Sequence, residues 1–120
     1  MVNAHQDSHA PAGYVYACDH DSVPERGKKT VYIDDLRVLI VASNGDLFAV
    51  EDRCPQTGGS LARGAVIGTE ITSPGTGARY DLRTGRYAGG GQAPLQSHWL
   101  PVLPLAVRDG GLYIRLPRGC

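Results

Sequence analysis

The sequence predicts an all-β fold, a small sandwich or barrel. Three observations point there. The apolar runs are short, the longest being VLIVA from Val38 to Ala42. Turn dipeptides of the hairpin kind, Asn44-Gly45 and Asp109-Gly110, each separate two such runs, and their residues tolerate the positive φ that tight hairpins need. No stretch of ten or more residues places its apolar side chains at helical spacing.

The elements follow in order. The opening MVNAHQDSHAPAG is polar, so residues 1–12 are expected to form a disordered tail and 13–120 a single domain. GYVYACD alternates and is rich in aromatics, which suits a strand. KKTVYIDD reads as a strand ending in an acidic turn. LRVLIVA and LFAVED flank Ser43-Asn44-Gly45-Asp46 and are expected to pair as a hairpin. PLAVR and LYIRL flank Asp109-Gly110-Gly111 in the same way. Between the two hairpins, from about residue 53 to 93, glycine is too dense for long strands. That middle is predicted to be a loop-built subdomain, with TEIT and ARYDL as short strands and Ser60 to Arg63 as one turn. AGGGQAP looks flexible.

Composition excludes some partners. The 12 Lys plus Arg balance the 12 Asp plus Glu. A nucleic-acid or membrane-surface binder would leave a basic footprint, so neither partner is expected. VLIVA is too short to cross a bilayer. The N-terminal stretch lacks the apolar core of a secretory signal, so the expected location is the cytoplasm. The three cysteines, Cys18, Cys54 and Cys120, have no scaffold spacing and read as free thiols in a reducing compartment.

The stretch CPQTGGSLARGAVIGTEITSPGTGARYDLRTG, Cys54 to Gly85, has the rhythm of a metal site. Together with the closing PLAVRDGGLYI it resembles a Rieske ferredoxin, and the resemblance runs from about Tyr14 to Leu116. In that family Cys-x-His, a spacer and Cys-x-x-His hold a [2Fe–2S] cluster between two loops. Laid on this chain, the pattern puts Cys54 on the first cysteine and Gln56 on the first histidine. Sixteen residues follow, Thr57 to Thr72, and then Ser73 falls on the second cysteine and Thr76 on the second histidine. Three of four ligands are replaced, and hydroxyl and amide groups are poor partners for iron beside sulfide. The resemblance therefore implies a Rieske-like β-sandwich with a degenerate cluster-binding subdomain and no cofactor. It is similar to the cluster-less small subunits of assimilatory nitrite reductase.

That likeness implies a non-redox accessory or structural subunit, partnered by an oxidoreductase. One alternative is a cofactor-free enzyme or small-molecule binder of the isomerisation or cyclisation type. Another is an electron-transfer ferredoxin with an unorthodox ligand set. For a binder, Cys54, Gln56, Ser73 and Thr76 would line the pocket. His98 and Trp99, adjacent in LQSHWLPV, would cover it or anchor a partner. The catalytic candidates are Cys54, His98, Tyr80 and Asp81, with Tyr87 beside them. Each also has a plain reading: Cys54 as a packed thiol, Tyr80 and Asp81 as framework. A zinc site from Cys54, His98 and a carboxylate lacks closely paired ligands, so no metal is expected. His5 and His9 fall in the tail, and His20 reads as a turn residue.

Overall fold

The computed structural model describes residues 10–91 and 99–117. His5, His9, His98 and Cys120 lie outside them, as do most of the expected tail and the end of AGGGQAP. The strands are β1 (Tyr14–Asp19), β2 (Lys28–Ile33), β3 (Leu36–Ser43), β4 (Asp46–Glu51), β5 (Val66–Ile67), β6 (Glu70–Thr72), β7 (Arg79–Asp81), β8 (Tyr87–Gly89), β9 (Leu105–Arg108) and β10 (Gly111–Arg115). His20 sits in a short 3-10 turn, His20–Ser22, after β1.

Three antiparallel sheets result, ordered β1-β10-β9, β2-β3-β4 and β5-β6-β7-β8. Both expected hairpins form. Asn44 and Gly45 have φ of 54° and 82°, and Asp109 and Gly110 have 49° and 77°. These paired positive values close two-residue turns whose twist matches the flanking strands. The turn at Asp34, φ 54°, sets Ile33 opposite Leu36.

VLIVA is continuous rather than alternating because β3 is covered on both faces. Val38 and Ile40 enter one core with Cys18, Val31, Ala49, Leu112 and Ile114. Leu39 and Val41 enter a second core with Val50, Cys54, Leu61, Ile71, Tyr80 and Leu100. All four residues Val38–Val41 are fully buried. Each such side chain contributes about 1.5–3 kcal/mol relative to exposure. The first core joins the β1-β10-β9 and β2-β3-β4 sheets, and the second seats the small glycine-rich subdomain on that framework. That seating is reinforced by polar cross-links. Lys28 Nζ donates to the Gly64 carbonyl at 2.7 Å and Ser43 Oγ to the Gly68 carbonyl at 2.8 Å. Gly64 has no room for a side chain, since a Cβ there would stand 1.9 Å from the Thr72 carbonyl oxygen.

Candidate functional site

Two loops of the small subdomain close in the same way. In the first, the Cys54 carbonyl accepts from Gly58 N at 2.8 Å, and Cys54 N donates to the Gly59 carbonyl at 2.7 Å. In the second, the Ser73 carbonyl accepts from Gly77 N at 2.8 Å, and Ser73 N donates to the Ala78 carbonyl at 2.8 Å. Gly58 and Gly77 take nearly equal positive φ, 77° and 76°. Thr57 Oγ1 accepts from Gly59 N and Thr76 Oγ1 from Ala78 N, both at 3.1 Å. Sequence dictates the match, because CPQTG at 54 and SPGTG at 73 share proline, threonine and glycine at the same offsets. The repeat is visible in the sequence itself.

The loops meet at their first residues. Ser73 Oγ donates to Cys54 Sγ at 3.1 Å. Cys54 is 2% exposed and Ser73 1%, while Thr57, Gly58, Pro74 and Gly75 above them are exposed. Burial raises the Cys54 thiol, but the hydroxyls of Ser73 and Thr57 and the backbone N–H groups of Gln56 and Thr57 together outweigh it. They hold the thiol below its usual range, because hydrogen bonds to a thiolate favour the charged form. Gln56 and Thr76 flank the pair, half-buried.

Asp52 is the residue that sequence reading missed. It is 1% exposed, and its carboxylate accepts from Leu61 N at 2.6 Å, Ser60 Oγ at 2.8 Å and Arg37 Nε at 3.1 Å. It thereby ties the first loop to β3. A lone acidic residue before a cysteine carries no sequence signal for this role.

The other candidates divide. Tyr80 is fully buried in the Cys54 core, and among the described residues its hydroxyl has no hydrogen-bond partner. Burial first, then the nearby Cys54 and Tyr87, push its pKa up. Tyr87 packs edge-on against it, ring centroids 6.1 Å apart, and donates its hydroxyl to the Gly90 carbonyl at 2.7 Å. Asp81 is engaged by Arg83, whose N and Nη2 lie 2.7 and 3.0 Å from its two carboxylate oxygens. That pairing, led by the Arg83 side chain, holds the carboxyl below the ordinary range. Trp99 is 49% exposed, with the Arg86 guanidinium 4.7 Å from its ring centroid. Its neighbour Leu100 belongs to the Cys54 core. His98 lies outside the described residues. Among the described residues no three His, Cys, Asp or Glu side chains group as a metal site.

The family model of the Rieske-like [2Fe-2S] domain matches residues 13–115. The chain belongs to this family. A curated relative, the 3-phenylpropionate/cinnamic acid dioxygenase ferredoxin subunit of Photorhabdus laumondii subsp. laumondii, is 28% identical over 103 residues, covering 83% of this chain and 91% of the relative. Among solved structures, the Sphingomonas yanoikuyae B1 ferredoxin superposes with a TM-score of 0.73 at 23% identity, covering 86% of this chain and 98% of that one. A chain from the complex of reduced oxygenase and oxidized ferredoxin in carbazole 1,9a-dioxygenase gives 0.72 at 21%, covering 88% and 94%. At these identities the structures show the fold.

Family membership corrects one expectation. The absence of a cofactor was inferred from four side chains, whereas the family model is that of a [2Fe–2S] domain and the relatives are ferredoxins. The cluster is the group that belongs with this family. The physical reason for the error is that a donor count within one chain does not measure what the chain binds. The donor set nevertheless does not fit the family's two thiolates and two imidazoles. Cys54 offers the single thiol, in direct hydrogen-bond contact with the Ser73 hydroxyl, and Gln56 and Thr76 offer an amide and a hydroxyl.

Proposed function

We propose that this Rieske-family chain serves as the ferredoxin-type component of an oxygenase-like oxidoreductase, and that the crests of its two matched loops are the docking face. One observation carries the reading: two identically closed loops meet over the buried Cys54–Ser73 contact. A loop pair fixed this way presents a rigid backbone surface, which lowers the entropic cost of binding. The curated relative is named as a dioxygenase ferredoxin subunit, and one structural neighbour comes from an oxygenase–ferredoxin complex. Trp99, half exposed with Arg86 on its face, supplies the residue types that anchor interfaces. In this reading the chain's own residues act by shape and contact, as an accessory partner does. Its free thiols Cys18 and Cys54 suit a reducing compartment, and we place the protein in the cytoplasm.

The test is site-specific photo-crosslinking in the native lysate. A benzophenone side chain at Gly75, on the second crest, should capture an oxidoreductase subunit identified by mass spectrometry. The same group at Tyr32, 72% exposed on β2, should not. Equal capture from both positions, or capture of no oxidoreductase from Gly75, would overturn the proposal.

A further inference from the structure

We propose that the groove between the β2–β3 hairpin and the β5–β6 turn is a binding site for a small oxyanion, the carboxylate or phosphate group of a metabolite. The site is a cavity of about 340 Å³ lined by Arg26, Gly27, Lys28, Ala42, Ser43, Asn44, Val66 and Gly68. That volume lies in the range of small-molecule sites. None of these eight residues is acidic, in a chain whose net charge is zero.

Local charge is sorted rather than mixed. The acidic residues Glu25 and Asp46 line a different cavity of about 120 Å³, which shares Ala42 alone with the larger one. Arg26, next to Glu25, and Asn44, two residues before Asp46, line the larger one. Among the described residues neither Arg26 nor Lys28 has a carboxylate partner. Two unneutralised cations facing one concavity concentrate anions there.

The walls are preorganised. Lys28 Nζ is held by the Gly64 carbonyl at 2.7 Å, and among the described residues its other donors take no partner. Ser43 Oγ is held by the Gly68 carbonyl at 2.8 Å. Both bonds join the β2-β3-β4 sheet to the small subdomain, so the groove does not have to form around its ligand. Arg26 supplies a planar fork suited to carboxylate or phosphate. The Asn44 side chain adds an amide donor.

Amide NMR titration of the full chain at low ionic strength tests the site, with sodium phosphate, sodium acetate and sodium chloride as probes. Phosphate or acetate should give saturating shifts at Gly27, Ser43, Asn44 and Gly68, with dissociation constants on the order of 1–10 mM. Chloride at matched ionic strength should not. Tighter phosphate binding points to a phosphorylated ligand and tighter acetate binding to a carboxylic acid. Arg26→Ala, an exposed substitution, should weaken binding about tenfold. Asn44→Asp keeps the turn, since Asp also tolerates left-handed backbone, and should abolish binding by charge. Non-saturating shifts that chloride reproduces, or unchanged binding in Arg26→Ala, would overturn the proposal.

Discussion

The Ser73 hydroxyl donates to the Cys54 sulfur across 3.1 Å, joining two loops that the chain closes independently. The bond makes a direct prediction. Ser73→Ala removes one of the donors that hold the Cys54 thiol low, so its pKa should rise toward the ordinary range near 8.5. The loss in stability should be about 1 kcal/mol. Cysteine ¹³Cβ shifts followed against pH resolve Cys54 from Cys18 and Cys120. An unchanged Cys54 titration would show that Ser73 does not stabilise the thiolate.

A second prediction concerns the anchor beneath the first loop. Asp52→Ala leaves the Leu61 amide and the Ser60 hydroxyl without their acceptor and takes a carboxylate from Arg37. Arg37 is 40% exposed and keeps the Asp52 carbonyl as a partner, so the cost is that of the donors left without an acceptor, about 1–3 kcal/mol. Urea unfolding should report that loss. A loss below about 1 kcal/mol would mean the loop holds its shape without Asp52.

Gly64 and Gly75 form a matched pair for a third. A Cβ at Gly64 meets backbone oxygen at 1.9 Å, while one at Gly75 meets nothing within 4 Å and needs no unusual φ. Gly64→Ala should destabilise the fold by about 4 kcal/mol or more and so lower the thermal midpoint strongly, while Gly75→Ala should stay within about 0.5 kcal/mol. Similar midpoints for the two variants would contradict the described seating of the subdomain.

Acid stability gives a fourth. Asp81 is depressed by its pairing with Arg83. A carboxyl with a lowered folded pKa stabilises above its unfolded value, near 3.9, and that contribution is lost as pH falls through the folded value. Asp81→Asn should therefore lower stability at pH 7 and lose less on acidification below about pH 4 than wild type does. Parallel curves for the two proteins across that window would show that the pairing does not contribute.

The donor mismatch suggests a fifth. Gln56→His, Ser73→Cys and Thr76→His together restore the family's donor types on loops that keep its order. Reconstituted with iron and sulfide, this variant should turn brown and carry about two irons per chain. A folded but colourless variant would show that the matched loops do not hold the family's geometry.

Much of the framework was legible because local chemistry and fold agree there. Asn44-Gly45 and Asp109-Gly110 can do little other than close hairpins, and both do. The short strands β6 and β7 lie where TEIT and ARYDL predicted them. β5 and β8 were not expected, since Val66–Ile67 has only two residues and Tyr87–Gly89 ends in glycine. Both exist because β6 and β7 offer open edges to pair with. The site was legible as positions and not as contacts. The resemblance placed Cys54 and Ser73 on corresponding loop residues, but their 3.1 Å contact depends on packing between the loops. The family's cofactor was not legible because the side chains at four positions point away from it while the whole-chain likeness points toward it. The oxyanion groove left no sequence signal, because Arg26, Lys28 and Asn44 converge only after β2 and β3 pair.

Affinity for the captured oxidoreductase subunit tests the docking account most directly. Biolayer interferometry would compare wild type, Gly75→Arg and Tyr32→Arg. The account predicts that Gly75→Arg, which has open space to fold normally, weakens binding at least about tenfold, while Tyr32→Arg binds like wild type. Undiminished binding by Gly75→Arg, with loss in Tyr32→Arg, would place the docking face on the β2 side of the molecule and contradict the account.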